Sequence, residues 1–135
     1  MGQRALEAQP FGALVGAGFA RLVDREAVLE VPIRNELPQQ NGLVYGGVIG
    51  YPDDNAPTFA GSSVLGPEVL TQEYKTNYLR PPSGESLVAR ASVVSASKRQ
   101  VVWRCDNRAA GADGGETFCA AAHGAIASVA VPTEA

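Results

Sequence analysis

The sequence predicts a single α+β domain, residues 1–135, in which five or six antiparallel strands surround one mid-sequence helix. The chain has 135 residues, of which 45% are hydrophobic, and this is enough for one compact core. Helix-compatible spacing of apolar residues is concentrated near the middle, whereas β-favouring runs bounded by turn residues lie on both sides. Consecutive strands that need only short connections indicate hairpins, and the strand–helix alternation of a parallel sheet does not occur.

The N-terminal part predicts a short helix followed by a β-hairpin. Residues 4–15 carry apolar side chains at loosely helical spacing. Two short apolar and β-branched runs follow at 19–23 and 27–33, and the charged residues 24–26 between them indicate the turn. Pro32 is expected near an edge or at a strand end, because proline cannot donate a backbone hydrogen bond.

The central helix is predicted from Gly46 to about Leu65, after a loop over 35–44 that is rich in turn-forming residues. Pro52 and Pro57 lie inside this span, and a proline in a helix interior costs about 3 kcal/mol. The prolines therefore predict a kinked or interrupted helix rather than a straight one.

The rest of the chain predicts four strands. Val101, Trp103 and Cys105 alternate with more polar residues, which is typical of a strand with one wetter face. The strands are expected at residues 68–79, 86–95, 101–106 and 117–131, with a flexible loop at 109–115 and a frayed tail at 132–135.

Composition and charge exclude several classes of function. The net charge of −3 and the absence of a basic run give no electrostatic footprint for nucleic acid or an anionic membrane. No window approaches the roughly 18–20 apolar residues of a membrane span, and the N-terminus lacks the pattern of a signal peptide. We therefore expect a soluble cytoplasmic protein.

Cysteine and histidine are too scarce for a metal site or a disulfide framework. Cys105 and Cys119 are expected as small core residues that would face each other if their strands form a hairpin centred near Ala112, and a disulfide is not expected in cytosol. The single histidine, His123, lies in an Ala-rich strand without a nucleophile-elbow motif, so a serine–histidine triad is not predicted and no metal is expected.

The segment from Gln39 to Asp54 holds groups suited to attack on a polarised carbonyl. Backbone N–H groups at a helix start stabilise developing negative charge, and Gly46 places no side chain in the way. Gly47 supports the same close approach, although two glycines can also serve only a tight turn. Asp54 is the candidate nucleophile or general base, and Asp53 is the neighbouring alternative.

The stretch Asn41-Gly-Leu-Val-Tyr-Gly-Gly-Val-Ile, followed by Asp54-Asn-Ala, resembles the signature of hotdog-fold acyl-CoA thioesterases of the phenylacetate-degradation type. Residues 69–81 are similar to the third-strand signature of that family. The resemblance implies a long central helix wrapped by a curved antiparallel sheet. It also implies homodimers joined at their sheet edges, with active sites shared between subunits, or pairs of such dimers. Coenzyme A would enter as part of the substrate, and no separate cofactor is expected.

The resemblance also assigns further catalytic residues. Gln39 matches an amide that positions the thioester or the water, Thr58 matches a hydroxyl of the hydroxybenzoyl-CoA branch, and Thr71 matches a hydroxyl near the nucleophile. Tyr45 replaces a histidine that shapes the loop near the thioester; a phenol can donate a hydrogen bond but is no base near neutral pH.

Substrate contacts are expected from two sets of residues. Gly47 and Asn55 lie next to the predicted catalytic groups, whereas cationic side chains near predicted turns suit the phosphates of coenzyme A, though ordinary turn charges explain them equally well. These cations are Arg80, Lys98 and Arg99. The sequence therefore predicts a thioesterase for a small, aromatic or medium-chain acyl-CoA. The alternative is a hotdog protein that binds acyl-CoA without hydrolysing it, as a sensor or carrier.

Overall fold

Six antiparallel strands and one long helix form the part of the chain that the structure, a computed structural model, describes: residues 9, 14, 16–33 and 46–129. The elements are β1 (Gly18–Val23), β2 (Glu26–Pro32), α1 (Gly46–Leu65), β3 (Val69–Tyr78), β4 (Ser86–Ala96), β5 (Gln100–Ala110) and β6 (Glu116–Ser128). All six strands join one sheet in the order β1-β2-β4-β5-β6-β3. The predicted α+β class is confirmed, and β1 and β3 form the two edges.

The helix packs on one face of the sheet because the strands alternate between apolar and polar residues. On β5, Val101, Trp103 and Cys105 are fully buried, while the residues between them are more exposed. Ala56 and Ala60 of α1 are also fully buried and belong to the same core cluster. Small helix residues allow close packing, and Gly61 lies so near Ile126 that an added Cβ would collide with its side chain.

The helix begins at Gly46, as predicted, and continues through 20 residues to Leu65. Pro52 and Pro57 lie inside it, so the expected interruption is wrong. Both prolines are among the fully buried side chains, and this burial offsets part of the cost of the missing backbone hydrogen bonds. A kink at these prolines stays a prediction.

The β1–β2 hairpin is confirmed, and its turn is attached to the helix. Arg25 adopts a positive φ of 66°, and its backbone N–H donates to the hydroxyl oxygen of Ser63 at 2.7 Å. Pro32 is the last residue of β2, which lies between β1 and β4. It therefore ends a strand, as expected, but that strand is not at an edge.

The two cysteines are buried, as predicted, but they do not face each other. Cys105 pairs with Ala122, while Cys119 lies at a register shift of β6 near Asn107 and Arg108. The hairpin is centred near Asp113 rather than Ala112, since Ala110 pairs with Glu116, and the irregularity shifts the pairing by one more residue. No disulfide joins the two thiols. Burial raises the pKa of the Cys119 thiol, which keeps it protonated near neutral pH.

The predictions for the two ends of the chain concern residues that the structure mostly does not describe. Of the expected N-terminal helix at 4–15, the structure describes Gln9 and Leu14, and only Leu14 is helical. The tail at 132–135 lies outside the described residues. Within the described ranges, no helix is both long and apolar enough to cross a membrane.

Candidate active site

A carboxylate on the helix and a hydroxyl on an edge strand form the centre of the candidate site. Thr71 donates a hydrogen bond of 2.6 Å from Oγ1 to Oδ1 of Asp54, and both side chains are partly buried. The two residues are 17 positions apart, so the contact depends on how β3 returns along the helix. The structure thus brings together two predicted catalytic residues.

An irregularity in β3 follows directly after Thr71. The register of β3 against β6 shifts between Thr71 and Glu73, which leaves Gln72 as an extra residue. Such bulges redirect neighbouring side chains and often occur beside active sites. The amide of Gln72 accepts a hydrogen bond of 2.7 Å from Gln100 of β5, which anchors the bulge to the sheet.

Thr58 occupies a different position from Thr71. Its hydroxyl donates at 2.8 Å to the backbone oxygen of Asp54, one helical turn earlier. The hydroxyl proton is therefore used inside the helix and does not bind the Asp54 carboxylate. Thr58 also lines a cavity beside the helix, so its position suits substrate contact better than direct catalysis.

Gly46 and Gly47 form the first residues of α1, where backbone N–H groups have no partner within the helix. No acidic residue lies in the first turn to compete for these donors. The positive end of the helix dipole further favours an oxyanion at this position. The backbone placement therefore agrees with the role predicted for Gly46.

The helix separates its two proposed catalytic groups. Asp54 follows Gly46 by eight residues, and a rise of 1.5 Å per residue places them about 12 Å apart along the axis. A donor and an attacking carboxylate must both lie near 3 Å from one carbonyl group. Gly46 and Asp54 of the same chain are therefore too far apart to act on the same thioester.

A cavity of about 610 Å³ lies beside the helix and includes Thr58 and Val69, which flank the Asp54–Thr71 pair. Its wall on the helix is mostly polar, with Phe59 as the apolar member, and is completed by the β1–β2 turn and the start of β3. The lining consists of Gln9, Leu22, Val23, Asp24, Asn55, Thr58, Phe59, Ser62, Ser63, Gly66, Pro67 and Val69. Pockets of this volume accommodate a small organic group.

Asn55 lines this cavity and holds an N-terminal residue against it. Its amide nitrogen donates to Oε1 of Gln9 at 3.0 Å, and the Gln9 amide returns a longer contact of 3.5 Å. Phe59, one turn later, packs edge-on against Phe19 of β1 with ring centres 4.8 Å apart. The helical wall of the cavity is thus held by contacts to two separate parts of the chain.

The three cations predicted to bind phosphate do not lie together. Lys98 and Arg99 occupy the β4–β5 turn, where the carbonyl of Arg99 accepts from Ser128, the residue paired with Val69. This turn is at the same end of the sheet as Thr71. Arg80 follows the opposite end of β3, and its backbone N–H donates to Cys119. All three residues are exposed.

Several groups considered in the sequence lie away from the candidate site or belong to residues that the structure does not describe. Gln39, Tyr45 and the side chain of Asp53 are not among the described parts of the chain. His123 is exposed on β6 and pairs with Arg104, whose strand neighbour Trp103 is buried towards the helix. His123 therefore lies on the sheet face opposite Asp54. Among the described residues, no group of three metal-ligating side chains occurs.

Sequence reasoning missed the serines that continue the helix face. Ser62 and Ser63 follow Thr58 by four and five residues and line the same cavity. The signal was the recurrence of small polar residues at helical spacing within an otherwise apolar segment. That spacing was available in the sequence, but it did not show which helix face the sheet leaves uncovered.

A long helix on the inner face of a six-stranded antiparallel sheet, with a carboxylate directed at the edge strand, defines the hotdog fold. A family model described as "Thioesterase superfamily" matches residues 41–113, and the chain belongs to this superfamily. The protein is thus a thioester hydrolase by class.

Solved structures resemble the chain over almost its full length. A thioesterase family protein from Silicibacter pomeroyi is 30% identical, with 93% of each chain covered and a TM-score of 0.87. A conserved protein from Pseudomonas aeruginosa is 26% identical over 93% of this chain and 98% of its own, with a TM-score of 0.83. The PaaI protein of the phenylacetic acid degradation operon of E. coli shares the fold at 17% identity. The match covers 94% of this chain and 89% of the PaaI chain, with a TM-score of 0.81. No curated protein matches the sequence.

Proposed function

We propose that this protein hydrolyses an acyl-CoA to a free acid and coenzyme A, with Asp54 as the reacting carboxylate. The hydrogen bond from Thr71 to Asp54 is the observation that supports this most directly, because it orients a carboxylate beside a cavity large enough for an acyl group. The bond occupies Oδ1 and leaves Oδ2 as the oxygen that acts on the substrate.

The reaction needs one bond to form at the thioester carbon and one to break. Asp54 either takes a proton from the attacking water or attacks the carbon itself, which gives a mixed anhydride that water then hydrolyses. In both routes the carbonyl oxygen becomes an oxyanion, which the Gly46 N–H stabilises. The C–S bond then breaks, and the thiolate of coenzyme A leaves and is protonated.

The separation of Gly46 from Asp54 supports a site shared between two copies of the chain. Since one chain cannot place both groups on one carbonyl, a second copy supplies the oxyanion donor to the Asp54 of the first. Thr71 lies on β3, which is an edge strand of the sheet among the described residues, and edge strands are suited to joining two sheets. We propose a homodimer with two such sites, which two dimers can combine into a tetramer.

Phosphate recognition in this arrangement uses cations from both ends of the sheet. The Lys98–Arg99 turn is near Thr71 in its own chain. Joining two β3 strands antiparallel brings the far end of one strand, and so Arg80, towards the Thr71 end of the other. A cation from each subunit would then flank one coenzyme A, since guanidinium groups bind phosphate oxygens well.

Matched carboxylate variants test the assignment. Purified protein is assayed for release of the coenzyme A thiol from short-, medium- and long-chain and aromatic acyl-CoAs. We expect Asp54→Asn to lower kcat by at least about 100-fold, since it removes the reacting group. Asp53→Asn, which changes the adjacent carboxylate, should retain activity. Full activity in Asp54→Asn, or equal losses in both variants, would contradict the role of Asp54.

A binding protein without hydrolysis remains the alternative suggested by Tyr45. It predicts that calorimetry detects acyl-CoA binding while no thiol is released by the wild-type protein. Turnover that disappears in Asp54→Asn would exclude this alternative.

A further inference from the structure

The cavity beside α1 offers hydrogen-bond acceptors at defined distances from Asp54. The hydroxyls of Thr58, Ser62 and Ser63 donate to the helix carbonyls of Asp54, Phe59 and Ala60, at 2.8, 2.9 and 2.6 Å. Their protons are therefore used inside the helix. What they can present to the cavity is oxygen lone pairs, which accept hydrogen bonds from a ligand.

Polar groups line the cavity at both ends, with Gln9, Asn55 and Thr58 near Asp54 and with Asp24, Ser62 and Ser63 farther along the helix. The Arg25 backbone N–H already donates to Ser63, so this contact brings the neighbouring Asp24 carboxylate to the same end. Ser62 and Asp24 are thus the acceptors available there, and no lysine or arginine lines the cavity within the described residues. This end favours a neutral hydrogen-bond donor and disfavours a carboxylate.

The middle of the cavity is apolar. Phe59 lies between Thr58 and Ser62, and Leu22, Val23 and Val69 complete the wall around it. A hydrocarbon chain that runs along the helix from Asp54 would contact these side chains before it reaches the serine. Along the helix, the lining thus passes from polar residues next to Asp54, through Phe59, to the acceptor Ser62.

The helix geometry gives the length of the group that fits. Ser62 follows Asp54 by eight residues, or about 12 Å along the axis. An extended chain advances about 3.3–3.6 Å over three bonds, or roughly 1.2 Å per bond. About ten bonds therefore separate a carbon held at Asp54 from a donor at Ser62.

From this arrangement, and on the basis of the proposed thioesterase function, we propose that the cavity selects a medium-chain acyl group with a terminal hydroxyl. Ser62 is its specificity-determining residue. The hydroxyl donates to Ser62 Oγ at the far end, where the Asp24 carboxylate also lies, while the methylene chain packs along Phe59. A carboxylate at the same place would meet the Asp24 charge without a compensating cation.

Three acyl-CoAs of equal length test the proposal: decanoyl-CoA, 10-hydroxydecanoyl-CoA and the mono-CoA thioester of decanedioic acid. One hydrogen bond to a neutral acceptor should raise kcat/KM for the hydroxylated substrate about 3- to 10-fold over decanoyl-CoA. The acid-terminated substrate should be slower than both. In Ser62→Ala the ratio of kcat/KM for the hydroxylated substrate to kcat/KM for decanoyl-CoA should fall to near one. The ratio should be unchanged in Ser92→Ala, which alters a serine on the other sheet face.

Chain length provides a second control. The hydroxyl of 6-hydroxyhexanoyl-CoA reaches only as far as Thr58. Ser62→Ala should therefore not change the ratio of kcat/KM for 6-hydroxyhexanoyl-CoA to kcat/KM for hexanoyl-CoA. The same ten-carbon pair is also titrated calorimetrically into Asp54→Asn protein, which measures recognition without turnover. Equal dissociation constants there, or a preference that survives Ser62→Ala, would overturn the proposal. If no acyl-CoA is hydrolysed, the thioesterase function is refuted instead. The ratio of the two dissociation constants would then still decide whether the cavity recognises the hydroxyl.

Discussion

At the scale of single residues, the Asp54–Thr71 hydrogen bond determines how the carboxylate is oriented. A threonine at 2.6 Å restricts rotation of the Asp54 side chain and fixes which of its two oxygens accepts the hydrogen bond. Misplacement of a reacting group by about 1 Å can cost roughly 100-fold in rate. In the proposed mechanism the position of Thr71 therefore affects catalysis although its hydroxyl need not touch the substrate.

Replacement of Thr71 tests this positioning role. Thr71→Val keeps the shape of the side chain and removes the donor, so we expect kcat to fall about 10- to 100-fold with a smaller change in KM. Thr71→Ser restores the hydroxyl and should recover most of the rate. Steady-state kinetics on one acyl-CoA separate the two parameters. A Thr71→Val enzyme with wild-type kcat would show that the hydrogen bond does not orient the carboxylate.

The sequence was sufficient to select Asp54 and Thr71 but not to show that they touch. Asp54 followed from its distance to the glycine pair, and Thr71 from the third-strand pattern. Their contact depends on the return of β3 along the helix and on the bulge at Gln72, which no local pattern specifies. Ser62 was missed for the same reason, because only the packed sheet shows which helix face stays open.

At the scale of elements, close contacts between strands depend on glycine at one position. A Cβ at Gly124 would lie 2.7 Å from both the Trp103 ring and the Cβ of Tyr74, and would also collide with the backbone oxygen of Glu73. Backbone atoms cannot move aside as a flexible side chain can. The junction of β3, β5 and β6 therefore tolerates no side chain there.

Alanine substitutions compare this position with an open one. Gly124→Ala should reduce the free energy of unfolding by about 1–3 kcal/mol through overpacking. Gly18→Ala, where an added Cβ meets no atom within 4 Å, should leave it nearly unchanged. Urea unfolding followed by the fluorescence of Trp103 measures both. Equal stabilities of the two variants would contradict the tight junction.

An ion pair connects two strands across the outer face of the sheet. Arg90 of β4 donates two hydrogen bonds of 2.8 Å to the carboxylate of Glu116 on β6, and this pairing lowers the pKa of Glu116. The side chains are 43% and 30% exposed, so solvent screens much of the interaction. A group with a lowered folded pKa stabilises the protein above its unfolded pKa and loses that effect in acid.

Removal of this charge should have a pH-dependent effect. Glu116→Gln is expected to cost about 0.5–1 kcal/mol of unfolding free energy at neutral pH. The cost should diminish as the pH falls through the lowered pKa of Glu116 and vanish in more acidic solution, where the wild-type carboxyl is also protonated. Urea titrations at neutral and at acidic pH measure the difference, and Glu85→Gln is the control. A cost that persists in acid would indicate a packing effect.

Element boundaries were predicted within a few residues, because hairpin turns and alternating strands are local signals. Two exceptions have physical causes. Pro52 and Pro57 argued for an interruption of the helix, but they lie in the buried core, where packing outweighs local preference. The predicted pairing of Cys105 and Cys119 is wrong because the β5–β6 hairpin is centred near Asp113 and a bulge in β6 shifts the register further, and sequence spacing shows neither.

At the scale of the whole molecule, the proposed shared site predicts that two variants, each inactive as a homodimer, restore activity when they form a mixed dimer. Gly46→Pro removes the donor N–H at a helix start, where proline is tolerated, and Asp54→Asn removes the carboxylate. Each homodimer should be inactive. In mixed dimers one of the two sites contains both intact groups.

Coexpression of the two variants should therefore restore about a quarter of wild-type activity, since half of the randomly formed dimers are mixed and each has one complete site. Gly46→Ala keeps the backbone N–H and should remain active on its own. This control would show that loss of the N–H donor causes the inactivity of Gly46→Pro. Light scattering should give a mass of at least two chains. An active monomer, or no recovery in the mixture, would contradict a shared site.

The bond between Arg25 and Ser63 also bears on how this architecture can diversify. It attaches a surface hairpin turn to the distal part of the cavity, whereas Asp54 and Thr71 belong to the helix and the opposite edge strand. Sequence changes confined to residues 24 and 25 can remodel what the protein recognises without disturbing the residues that break the bond. The contribution of residues 24 and 25 to the proposed recognition can thus change independently of Asp54 and Thr71, whereas Ser62 shares α1 with Asp54.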